Sequence, residues 1–151
     1  MFSSRSRLIL VSGLAALGVT LASAQNAPPP GECPQPRFTG KAPDEYLNRK
    51  NPIAPGSQPN PQIERIFRGI DGAVGCATCH GRKGDGKGKL ADQFTPRPRN
   101  FACSQTINGV PDGQLFWIIR FGSPDTAMPP NPSLSDTEVW QMVNYLRTLA
   151  K

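Results

Sequence analysis

Cys76-Ala77-Thr78-Cys79-His80 is the string in this 151-residue chain whose residue types and spacing prescribe a chemistry. Two thiols three positions apart can each add to one of the two vinyl groups of a haem, and the adjoining imidazole then lies under the iron. C-x-x-C-H is accordingly the attachment string of c-type haem. On that reading Cys76 and Cys79 are thioether anchors and His80 is an axial ligand. Two other chemistries use the same thiols. One is a thioredoxin-like redox pair, whose strand pattern is missing here; the other is half of a zinc site completed by Cys33 and Cys103. His80 is the sole histidine, which excludes Ser-His-Asp triads with a histidine to spare, multi-histidine zinc enzymes and an intrachain bis-histidine site.

The elements that must hold this string in place are helical. Asn60 can cap a helix and Pro61 suits its first position, Ile63, Ile66, Phe67 and Ile70 follow at helical spacing, and Gly69 and Gly72 mark the exit. Asp112 opens a second helix, Gly113 to Phe121, which is apolar nearly all round and stopped by Gly122. Such a helix needs burial on several sides or a large apolar ligand against it. Ser135 and Glu138 form a capping box for a third helix that runs through Val139, Trp140, Met142, Val143, Tyr145, Leu146 and Leu149. The basic, glycine-rich run 81–89 and Thr95-Pro96-Arg97-Pro98-Arg99 read as loops, with a short helix between them around Lys89 to Phe94. No comparable stretch alternates with period two. Three solid helices and a short one are few to organise about 90 residues around a self-sufficient core, so something else is expected to fill the centre.

Outside these elements the composition changes. Arg5 and Arg7 precede an uncharged run from Leu8 to Leu21 that closes on Ala22-Ser23-Ala24, the pattern of a cleaved signal peptide over residues 1–24. The run falls short of the ~20 apolar residues needed to span a bilayer, so the mature form is expected to have no membrane span. Losing the two arginines lowers the net charge from +6 to +4. In an exporting bacterium the destination is the periplasm, where thiols are disulfide-bonded, metal-bound or attached to a cofactor. Residues 25–59 form a Pro-rich arm, with 10 Pro between Pro28 and Pro61, a composition that favours extended, polyproline-like chain.

From about Asn60 to Lys151 the chain resembles the class I monohaem cytochromes c. Three strings carry the likeness in order: Cys76-Ala77-Thr78-Cys79-His80-Gly81, then Gly122-Ser123-Pro124-Asp125-Thr126-Ala127-Met128-Pro129-Pro130, then Glu138-Val139-Trp140-Gln141-Met142-Val143-Asn144-Tyr145-Leu146-Arg147. The resemblance implies an all-α, class I cytochrome c fold, three to four helices around one covalently bound haem c, over residues 60–151, with the C-terminal helix crossing the first. It also implies an axial Met beside Pro in the late loop. Met128 fits on independent grounds. Met1 leaves with the signal and Met142 lies on the apolar side of the last helix, whereas Met128 sits in a loop where Pro129 holds its backbone extended. Two features depart from the family pattern. The link from Phe67 to Cys76 is long, and Cys33 and Cys103 are additional; in an oxidising compartment these two are expected to pair and clip the arm onto the domain.

Phe67, Phe94, Phe101, Leu115, Ile118, Ile119 and Val143 are candidate walls for the macrocycle, each equally suited to ordinary core. In the family, aromatic N–H and Arg donors bind the propionates, which nominates Trp117 and Arg99, though Trp117 suits plain packing equally well. The basic residues Arg82, Lys83, Lys87, Lys89, Arg97 and Arg99 suit an acidic redox partner or simply a solvated loop. Export and modest charge argue against nucleic acid as a partner. The leading expectation is a periplasmic one-electron carrier, not an enzyme, passing electrons from a dehydrogenase or membrane complex to an oxidase or reductase. The alternatives are a dedicated haem subunit of a larger enzyme and a peroxidase-like haem enzyme with a displaceable distal ligand.

Overall fold

The computed structural model describes residues 31–36, 39–56, 60–70 and 72–151; the expected signal segment and the start of the arm lie outside them. Among the described residues the chain is all-helical and without strands. The helices are α1 (Asp44–Leu47), α2 (Pro61–Arg68), α3 (Ala77–His80), α4 (Ser104–Ile107), α5 (Asp112–Phe121) and α6 (Asp136–Leu149), with a 3-10 turn at Ala91–Gln93. The three long helices stand where periodicity places them, except that α5 begins at Asp112 itself, after an N-cap Pro111 with no side-chain cap, and Ile70 lies beyond the end of α2. The Asn60 side chain accepts from the Gln62 N–H, Gly69 and Gly122 terminate α2 and α5, and Ser135 and Glu138 close the capping box of α6. The helices beyond expectation, α1, α3 and α4, are four residues each, too short to carry a period. Between Lys89 and Phe94 the chain makes only the 3-10 turn.

The core forms where α6 packs on both α2 and α5. Phe67 of α2 meets Tyr145 of α6 with ring centroids 5.2 Å apart, and Phe116 of α5 meets Trp140 of α6 at 4.3 Å. Arg147 of α6 ties the two elements at their polar edge, donating to Asp112 Oδ1 at 2.7 Å and to the carbonyls of Ile107 and Val110. That gives the carbonyls ending α4 and preceding α5 a donor that helix geometry alone does not supply. The long link after α2 folds back on itself. Ala73 N–H donates to the Ile70 carbonyl at 2.8 Å, and the Gly69 and Gly75 backbones touch so closely that a Cβ on Gly75 would lie 2.2 Å from the Gly69 nitrogen. The added residues therefore leave and return at one point, and α2 keeps its place beside α3.

The arm differs from the extended chain its composition suggests. Its described part contains α1 and lies along α5 and α6, held by the buried Gln114 and the half-buried Asn51 and Asn144. Gln114 of α5, fully buried, accepts from Ala42 N–H at 2.8 Å and donates to the Gly40 carbonyl at 3.1 Å. Asn51 donates to the Trp140 carbonyl and to Asn144, which donates in turn to the carbonyls of Ile53 and Ala54. A disulfide joins Cys33 to Cys103, closing a separation of 70 residues; in the chain-entropy picture this restricts the unfolded state by on the order of 4 kcal/mol. Proline-rich chain cannot build its own ladder of backbone bonds, so the domain supplies partners for it.

The α1–α5 contact depends on one glycine. A Cβ on Gly113 would sit 1.9 Å from the Tyr46 carbonyl oxygen. In an open helix Gly→Ala gains about 1 kcal/mol of propensity. Here Gly113→Ala is expected to lose about 1–3 kcal/mol, as overpacked contacts do, and thermal unfolding reads the sign directly. The capping box supplies a second expectation. The Ser135 backbone N–H and hydroxyl hold the Glu138 carboxyl below its ordinary value of 4.5. Because the folded value is depressed, the contribution is complete above the ordinary value and fades as pH falls through the folded one. The stability gap between wild type and Glu138→Gln should therefore narrow in acid, as denaturant titrations from pH 7 downward can follow.

Candidate cofactor-binding site

Between α2, α3, α5 and the loop that follows α5 lies a cavity of ≈ 370 Å³, within the ~300–1,000 Å³ typical of cofactor clefts. Cys76, Cys79, His80 and Met128 all line it. The three residues of the C-x-x-C-H string and the loop methionine, 48 positions beyond His80 in the numbering, thus face one space.

The single-turn helix α3 presents the string. Three of its carbonyls are taken by the glycine-rich run that follows and the residue after it: Thr78 accepts from Leu90 N–H, Cys79 from Gly88 N–H and His80 from Gly86 N–H, at 2.8–3.1 Å. That run, which carries no hydrophobic period, serves as the clamp for a helix too short to be stable alone. His80 is buried, with its ring stacked on Phe101 at 4.5 Å, and its Nδ1 stands 3.0 Å from the Arg99 carbonyl oxygen. A carbonyl can only accept, so Nδ1 bears the proton and Nε2 keeps its lone pair. Burial lowers the imidazole's pKa, the Arg99 backbone bond opposes that, and the Arg99 charge lowers it further. The neutral ring, ready to ligate, is the form the site favours.

Cys76 and Cys79 are not disulfide-bonded. Burial raises both thiol pKa values, and at Cys76 a backbone hydrogen bond opposes the rise while Cys79 adds to it. Because Cys33 and Cys103 are bonded to each other, they cannot complete a zinc set with this pair.

Met128 is positioned from the end of α5. Gly122, at φ +81°, turns the chain back so tightly that a Cβ there would lie 2.8 Å from the Met128 carbonyl. Ser123 N–H then donates to that carbonyl at 3.1 Å, and Met128 N–H donates to Thr126 Oγ1 at 3.2 Å. Asn131 anchors the far side of the loop, donating to the Ile119 carbonyl at 3.1 Å.

The walls are mostly apolar. Phe94, Phe101, Leu115, Ile118 and Ile119 line the cavity as the sequence suggested, together with Ile66, Val110, Leu134 and Leu146. Phe67 and Val143 do not; both are buried in the helix–helix core. Trp117 is also not among the lining residues, whereas Arg99 is. Arg97 and Arg99 leave the expected docking cluster: Arg97 pairs with Asp92, and Arg99 donates to the carbonyls of Gln35 and Pro36. Arg82, Lys83, Lys87 and Lys89 remain exposed. Sequence reasoning missed Gln35, Pro36, Thr39 and Ser123 as lining residues; no local motif marks the first three, and Ser123 lies in the Gly122–Pro130 string without having been singled out.

A covalently attached haem fits this donor set. Two unpaired thiols, an imidazole with a committed Nδ1 proton and a thioether share one apolar cavity. Two lining polar atoms, Arg97 Nε and Ser123 Oγ, are buried without a hydrogen-bond partner. Such groups are costly unless a bound molecule satisfies them, and both can donate to carboxylates. If the cofactor takes up both thiols, the unreduced holoprotein should present no alkylatable cysteine, and two should appear after denaturing reduction. Mass spectrometry after alkylation counts them.

The family model for cytochrome c matches residues 70–150, more than half of the chain. Among solved structures, a chain of the reducing HAO-like protein complex of Kuenenia stuttgartiensis is similar in fold, with a TM-score of 0.52 and 24% identity over 65% of this chain and 46% of that one. The present chain thus spans less than half of that relative's length. No curated protein matches.

Proposed function

This chain belongs to the cytochrome c family, and from that premise we propose that it is a periplasmic one-electron carrier holding one haem c, with His80 and Met128 as axial ligands. The observation that carries the reading is the convergence of Cys76, Cys79, His80 and Met128 on a single apolar cavity. Bound there, a haem supplies a reversible one-electron couple at iron.

The chain's own residues account for the rest. Cys76 and Cys79 would form the thioether links to such a group, while the α3 clamp keeps their backbone in place. The Arg99 carbonyl engages His80 Nδ1 and leaves Nε2 its lone pair, and the Gly122 turn brings Met128 to the same cavity. A soft neutral thioether favours reduced iron over what a second imidazole would give, so the couple lies fairly high. The chain offers no second imidazole to act as acid or base beside His80, which favours electron carriage over peroxide chemistry. The donor is assigned to a dehydrogenase or membrane complex and the acceptor to an oxidase or reductase, with exposed Arg82, Lys83, Lys87 and Lys89 available to steer an acidic partner.

A pyridine haemochrome spectrum with intact mass tests the reading: one haem per chain, joined through two thioethers, is expected. Met128→Ala should abolish the methionine-to-iron charge-transfer band, and Met128→His should keep six-coordination while lowering the potential. Wild-type protein that lacks the band and turns over hydrogen peroxide would favour the enzyme reading instead.

A further inference from the structure

The arm reaches the cavity at Gln35, Pro36 and Thr39, and Gln35 does more than cover it. Its side chain is buried, with 8% of the residue exposed. Gln35 Oε1 accepts from the Asn100 N–H at 2.9 Å, and Gln35 Nε2 donates to the Pro98 carbonyl at 3.2 Å. The Asn100 N–H and the Arg99 carbonyl belong to the same planar peptide group. That carbonyl is the one that accepts from His80 Nδ1 at 3.0 Å. The rigid peptide is therefore held at both ends, by the arm's carboxamide at its N–H and by the imidazole at its oxygen.

We infer that Gln35 is a positioning residue for the axial histidine, acting through the Arg99–Asn100 peptide. Two physical effects follow from the geometry. The bonds to Pro98 and Asn100 fix the orientation of the peptide, and so the direction from which its oxygen meets the imidazole. The bond at the N–H also polarises the peptide and makes its oxygen a better acceptor, as linked hydrogen bonds do. A better acceptor at Nδ1 raises the basicity of a ligating imidazole and favours oxidised iron.

The arm is fastened where this demands it. Gln35 N–H donates to Thr106 Oγ1 at 2.9 Å, Asn100 Nδ2 donates to the carbonyls of Gly31 and Glu32 at 3.1 Å each, and the Cys33–Cys103 disulfide lies two residues before Gln35. The arm is thus a component of the site, in addition to clipping its own chain to the domain. This inference rests on the reading of His80 as an iron ligand.

The test uses full-length protein matured with haem. Gln35→Met keeps length and burial but leaves the Pro98 carbonyl and the Asn100 N–H unpaired. In the reduced state, NMR should show hydrogen exchange at both Asn100 N–H and His80 Nδ1–H accelerated at least tenfold, and the midpoint potential should rise. Acceleration at Asn100 alone, with His80 exchange and the potential at wild-type values, overturns the inference. If Gln35→Met fails to mature, Cys33→Ala/Cys103→Ala, which frees the arm's anchor, decides the matter. Faster His80 Nδ1–H exchange with a raised potential supports the inference, and wild-type values for both overturn it. A wild-type preparation without haem is recognised before any variant is made; it removes the ligand reading and this inference with it, whereas a pigmented variant with unchanged values removes the inference alone.

Discussion

The hydrogen bond between His80 Nδ1 and the Arg99 carbonyl is the interaction on which the site turns. An imidazole free to choose its tautomer presents a lone pair or a proton to the cavity with comparable ease. Committing one nitrogen to an obligate acceptor leaves a single option for the other. Much of the surrounding chain maintains that bond. The glycine-rich run clamps the α3 carbonyls, Phe101 stacks on the ring, and the 98–100 segment carries the acceptor.

A second constraint is the shortage of core. The α2, α5 and α6 helices bury Ile63, Phe67, Phe116, Val139, Met142 and Val143 against one another, while Leu115 and Ile119, buried in the same cluster, also line the cavity together with Ile118 of α5. An apolar surface of that kind, left facing water, loses about 25 cal/mol for each Å² that a ligand would otherwise cover. A flat hydrophobic cofactor therefore belongs to the folding energetics of this chain as well as to its chemistry.

The arm answers a different need. A chain so rich in proline gains little from its own backbone hydrogen bonds, so its order comes from elsewhere. Buried carboxamides work in both directions: Gln114 reaches from α5 to hold the arm at Gly40 and Ala42, and Gln35 reaches from the arm to hold the domain at Pro98 and Asn100. With the disulfide closing the far end, arm and domain share one set of polar contacts.

Capping signals and hydrophobic period were enough to read the three long helices from the sequence, because Asn60-Pro61, Ser135 with Glu138, and the terminal Gly69 and Gly122 act locally. The haem string was equally legible, since C-x-x-C-H confines its chemistry to five consecutive residues, and Met128 stood out by elimination and by Pro129. The single-turn helices were not legible, because four residues carry no period and their stability comes from what packs on them. The same holds for which core residues also form the cavity wall, as Leu115 and Ile119 do and Phe67 and Val143 do not. Gln35 carried no signal at all. What the sequence determined by itself is what neighbouring residues decide among themselves through backbone geometry and covalent spacing. What the tertiary structure alone decided is which peptide holds His80, which donors face the cavity and where the arm lies, because those contacts join residues tens of positions apart and arise only when burial brings them together.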